Sequence, residues 1–130
     1  MNTSYGYQRT VNRAFAETDS ALRAALQDQG FGIITEIDVK ATMQQKLGVT
    51  FPNYRILGAC NPPIAFEVLT LEKEIGLLLP CNVVLWENDD QSVTVAAVDA
   101  ARLLAMAGRD DLNETAELVN NLLKTALDSL

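Results

Sequence analysis

Hydrophobic and polar positions alternate at the start of the chain, with Tyr5, Tyr7, Arg9 and Val11 set against Gly6, Gln8 and Thr10. A period of two over that length is the signature of a half-buried strand. From about Phe15 to Gln29 the period lengthens: Phe15, Leu22, Ala25 and Leu26 fall on one helical face, and Gly30 stands where a left-handed C-terminal cap is wanted. Gly32 to Ile37 returns to β-branched residues and predicts a second strand. Asp38 then suits the N-cap of a short helix through Leu47, closed by Gly48.

Beyond the loop Phe51-Pro52-Asn53, Tyr54 to Ala59 predicts a third strand, halted by Pro62 and Pro63. Proline also fits the first turn of a helix, so the pair opens one that runs to about Lys73 with Ile64, Val68 and Leu71 inward. Leu77 to Pro80 is an apolar connection. Val83 to Glu87 and Val93 to Val98 form two further strands joined by the turn-prone Asn88-Asp89-Asp90-Gln91. Asp99 caps a short helix to Ala107, and Gly108 stops it. At the C-terminus Asp111 and Glu114 have the spacing of a capping box, with Asp in place of Ser or Thr. Leu112, Ala116, Val119, Leu123, Ala126 and Leu130 follow as one apolar stripe, so residues 111–130 read as an amphipathic helix.

With 130 residues, 48% of them hydrophobic and 21% charged, the chain has the size and composition of one folded domain spanning residues 1–130. The net charge of −7 repels phosphate backbones, and no Lys/Arg cluster offsets it, so nucleic acid is not expected as a partner. No apolar run approaches the roughly twenty residues that span a bilayer, so no membrane association is expected. Met1 to Tyr7 holds no basic residue followed by an apolar core, and the chain reads as cytoplasmic. Its two cysteines are then expected as reduced thiols. There is no histidine, which removes the commonest metal ligand and general base together.

Both cysteines lie in similar tripeptides, Cys60-Asn61-Pro62 and Pro80-Cys81-Asn82, each where a hydrophobic run meets a turn. Binding groups often sit at such strand ends. A connection through the Pro62 helix returns the chain to the same sheet edge, so Cys60 and Cys81 are expected to approach each other. The candidate ligand-binding residues are therefore Cys60, Asn61, Pro62, Cys81 and Asn82. The opposing reading makes both cysteines small buried hydrophobes and gives the Asn amides to turn backbone. Two thiols per chain fall short of the four ligands of a structural zinc site, so no metal is assigned unless a dimer axis brings Cys60 and Cys81 of two copies together. A redox role needs a thiol of lowered pKa, for which the helix N-terminus after Cys60 is the available source. No Cys-x-x-Cys motif accompanies it. Asp38 and Lys40, Asp89-Asp90 and Trp86 are read as capping, turn and packing residues respectively.

The runs Asp38-Val39-Lys40-Ala41-Thr42, Lys46-Leu47-Gly48, Tyr54-Arg55-Ile56-Leu57-Gly58-Ala59-Cys60-Asn61-Pro62-Pro63 and Ile75-Gly76-Leu77-Leu78-Leu79-Pro80-Cys81-Asn82-Val83 closely resemble the bacterial and archaeal family known as domain of unknown function 302. The likeness spans about Thr10 to Asp99. It implies an α+β fold, an antiparallel sheet of four to five strands with helices packed on one face, similar in outline to TATA-binding protein and commonly paired as a homodimer. It supplies no substrate and no cofactor. Where the family pattern often has a polar residue, frequently histidine, this chain has Phe66. The expected function is that of a homodimeric domain binding a small molecule or thiol-reactive ligand at the two Cys-Asn turns. The alternatives are a cysteine-dependent redox enzyme and a structural or protein-interaction module without a small-molecule site.

Overall fold

The computed structural model describes all 130 residues. Five strands, β1 (Gly6–Val11), β2 (Gly32–Asp38), β3 (Tyr54–Cys60), β4 (Cys81–Glu87) and β5 (Val93–Val98), form one antiparallel sheet in the order β1-β5-β4-β3-β2. The helices are α1 (Phe15–Asp28), α2 (Val39–Leu47), α3 (Pro62–Leu71), α4 (Ala100–Ala105) and α5 (Asn113–Asp128). A 3₁₀ segment, Lys73–Leu78, links α3 to β4, and a short one, Asp110–Leu112, precedes α5.

The register divides the strand residues into two faces, because successive side chains leave opposite sides of a strand. Tyr7, Ala97, Val83 and Leu57 align across β1, β5, β4 and β3, as do Arg9, Val95, Leu85 and Arg55. These rows face the helices. Leu57, Val83, Leu85 and Val95 are fully buried there against Leu22 and Leu26 of α1 and Leu123 and Leu127 of α5. Each such leucine contributes about 1.5–3 kcal/mol through removal of apolar surface from water. A smaller core, with Val68, Ile75, Leu104, Leu112 and Ala116, joins α3 and its 3₁₀ extension to α4 and α5.

The other face is left open by the helices. Its central row runs Ile37, Ile56, Val84, Ala96 and Gln8 from β2 to β1, flanked by Tyr54, Trp86 and Thr94. Tyr54 and Trp86 stack there at 5.7 Å between ring centroids. No strand residue that the register puts on this face is charged.

The helix boundaries follow from local chemistry. Asp38 caps α2 by accepting from the Ala41 N–H at 2.9 Å, Asp99 caps α4, and Gly30, Gly48 and Gly108 all adopt positive φ at helix ends. The capping box expected at α5 does not form. Asp111 instead binds the Arg109 guanidinium through both oxygens, and the chain enters α5 through the 3₁₀ turn. Leu71 is not inward, because α3 ends at that residue and leaves it 44% exposed. Strand β4 begins two residues earlier than the hydrophobic run predicts, at Cys81 instead of Val83.

Candidate functional site

Strand β3 ends at Cys60 and β4 begins at Cys81, with Ala59 directly opposite Cys81 in the register. The spacing between paired strands and the rise of one residue then put the two cysteine Cα atoms about 6 Å apart. Their side chains do not stand face to face, since Cys60 is one residue past Ala59 and leaves the opposite side of the strand. Both thiols are free, Cys81 buried and Cys60 half-buried.

Asn61 turns the chain from β3 into α3. Its Oδ1 accepts from the Ile64 N–H in a long 3.5 Å bond, and Pro62 and Pro63 occupy the first turn, where an absent N–H costs nothing. The chain then passes through α3 and the 3₁₀ segment and returns through Leu79-Pro80 to β4. Between this excursion and the sheet end lies a cavity of about 240 Å³. Ala59, Cys60 and Cys81 contribute from the strands, Asn61, Ile64, Ala65, Val68 and Leu69 from the start and body of α3, and Leu79 and Pro80 from the return. Phe31, Ile34, Leu104 and Val119 complete it.

The wall holds no charged residue, and Asn61 is its one side chain with an amide. Burial pushes the Cys81 thiol up to about 11, with the neighbouring Cys60 adding to the effect. A thiol in that state is a neutral, weakly polar group and not a nucleophile at neutral pH. No group of three or more Cys, Asp or Glu is arranged to hold a metal ion.

Of the sequence-derived candidates, Cys60, Asn61 and Cys81 thus share one cavity. Pro62 starts α3 without lining the cavity. Asn82 is exposed, pairs with Gly58, and borders a separate trough on the open face with Tyr5, Tyr54 and Trp86. The alternation of β4 explains this: Cys81 points toward the helices, so Asn82 points away. Phe66 is 75% exposed and outside the cavity.

Two arrangements were not legible in the sequence. Ile34 is the extra residue of a bulge in β2 between Ile33 and Thr35, and this irregularity brings it to the cavity. Asp19 and Arg23 of α1, Glu36 of β2 and Arg55 of β3 form a closed ionic network, with Asp19 at 2.9 Å from Arg23 and 3.2 Å from Arg55. Glu36 lies 3.0 Å from Arg23, and the Arg55 guanidinium covers the Phe15 ring. It ties α1 to the β2 edge of the sheet, away from the cavity. In sequence these residues are scattered charges with no shared motif.

A one-sided five-stranded antiparallel sheet, with helices on one face and an apolar cavity at the β3–β4 end, defines this as a small α+β domain. The model of the family described as Domain of unknown function DUF302 matches residues 7–130, and the chain belongs to that family. The match reaches the end of α5, beyond the Thr10–Asp99 span carried by the motifs. The crystal structure of an uncharacterized conserved DUF302 protein from Bacillus stearothermophilus is similar, with 28% sequence identity and a TM-score of 0.88 over 97% of this chain and 98% of that one. No curated protein matches the sequence. No helix is long and apolar enough to cross a membrane.

Proposed function

We propose that this domain binds a small molecule without transforming it, in the cavity formed by Cys60, Asn61 and Cys81, and works as a homodimer joined through the uncharged face of its sheet. The cavity carries the reading: a concave, half-open space of about 240 Å³ lined almost wholly by apolar side chains, with the Asn61 amide at its wall, has the make-up of a small-molecule site. The buried, protonated Cys81 speaks against a redox enzyme built on a thiolate pair. Asn82 drops out of the proposed ligand set, and Pro62 serves it only by starting α3.

The test is a fragment screen read by the methyl chemical shifts of Ile64 and Val68. Fragments that move these signals in the native protein and not in Ala65→Trp, where an indole fills the cavity, support the reading. A screen with no such fragment overturns it.

The dimer rests on the open face. In a chain of net charge −7, two copies repel over most of their surfaces, whereas the row Ile37, Ile56, Val84 and Ala96 offers apolar area free of charge. Light scattering is expected to give about twice the 14.2 kDa chain mass, and Val84→Asp to halve it. A mass of one chain at every concentration refutes the pairing.

A further inference from the structure

The composition of the cavity wall points to the chemical class of its occupant, an inference that rests on the binding role proposed above. Twelve of the fourteen lining residues are hydrophobic, and the other two are Pro80 and Asn61. No Lys, Arg, Asp or Glu reaches the wall. An ionised ligand entering it leaves water without meeting a counter-charge, which disfavours it against a neutral one. The wall also gives water little to bind, since one amide is its only strongly polar side chain.

That one amide is only half used. The Asn61 Oδ1 is engaged by the Ile64 N–H, while its NH₂ has no acceptor in the protein. The NH₂ packs beside Gly30, whose φ is +88°; a Cβ at Gly30 would come within 3.0 Å of Nδ2, so a glycine there keeps the amide in place. The cavity therefore has an apolar wall with one amide NH₂ that no protein group engages. Its size sets the length of the occupant. A cavity of about 150 Å³ takes one benzene ring, so 240 Å³ takes about ten non-hydrogen atoms.

We infer that the cavity takes a neutral, mainly hydrocarbon molecule of about ten non-hydrogen atoms carrying one hydrogen-bond acceptor, which the Asn61 amide reads. Three probes of matched length separate the terms: methyl heptyl ketone, n-nonane and nonanoate. Each is titrated into the full chain at neutral pH and followed by the methyl signals of Ile64, Val68 and Leu104. The ketone is expected to shift all three and to bind about fivefold more tightly than nonane, the worth of one neutral hydrogen bond. Nonanoate is expected to bind at least about tenfold more weakly than the ketone.

Asn61→Asp keeps an oxygen at the cap and removes the donor, so it should bring the ketone down to the affinity of nonane while leaving the denaturant midpoint close to that of the parent. Nonanoate binding tightest in the cavity overturns the inferred class and leaves the binding role intact. Equal affinity for ketone and nonane in the parent overturns the role of Asn61. If no probe moves the three methyl groups and the fragment screen also finds nothing, the binding role itself falls.

Discussion

Raising the pH should destabilise this protein through Cys81 in particular. The residue is 9% exposed, and burial raises its thiol from the ordinary value near 9 to about 11. Below pH 9 the thiol is protonated in both the folded and the unfolded chain, and stability does not depend on it. Between about 9 and 11 the unfolded chain releases the proton while the folded chain retains it, so unfolding is favoured and stability falls with each step in pH. Above about 11 both states are ionised and the loss levels off. At about 1.4 kcal/mol for each pH step, the full loss is about 2–3 kcal/mol. With a urea dependence of about 1–3 kcal/mol per molar, this lowers the midpoint by about 1 M or more. Tyrosines and lysines titrate in the same region, so the comparison is with Cys81→Ala measured at the same pH values. The variant should start lower at pH 8 and lose less stability than the parent as pH rises to 11. Parallel decline of the two proteins refutes the assignment of a strongly perturbed thiol to Cys81. Native-state labelling with a thiol reagent at pH 8 gives an independent check, since Cys60 should react and Cys81 should wait for unfolding.

The two asparagines should behave differently under chemical denaturation. Asn61→Ala removes the cap of α3 and should cost about 0.5–1 kcal/mol, at the low end because the bond to Ile64 is long. Asn82→Ala should lie within about 0.5 kcal/mol of the parent, because that side chain is exposed and makes no hydrogen bond; a larger cost at Asn82 than at Asn61 would contradict this account. Gly58→Ala should be far more damaging, about 1–3 kcal/mol. A Cβ there would come within 2.0 Å of the Thr35 hydroxyl and 2.7 Å of the Pro80 ring. Adding Thr35→Ala should recover part of the loss but not all, since the ring remains, and complete recovery by Thr35→Ala would show that the ring does not constrain Gly58.

How far the sequence reaches is clearest at the two ends of the Pro62 excursion. Prolines, caps and hydrophobic periods are local signals, and they foretold α3, the hairpin, the helix-ending glycines and the meeting of the two Cys-bearing strand ends. The face a side chain occupies is a different matter, because shifting a strand's start by one residue exchanges inside for outside. Cys81-Asn82 reads in sequence as a single motif beside a turn. With β4 starting at Cys81, the strand divides that motif, sending the thiol into the apolar cavity and the amide to the open face with Tyr54 and Trp86. Cys60-Asn61 is divided another way: its amide oxygen caps the helix that follows, and its thiol sits one position beyond the residue that pairs with Cys81. The likeness of the two tripeptides therefore reflects a shared position at strand ends and not a shared chemical task. The remaining walls were out of reach for a separate reason. Leu104 and Val119 come from helices more than forty residues along the chain from Cys60, and Ile34 arrives through a bulge that no turn residue announces. A cavity is what several elements jointly fail to fill, so its residues carry no common period or motif, and only the packed fold brings them to one place.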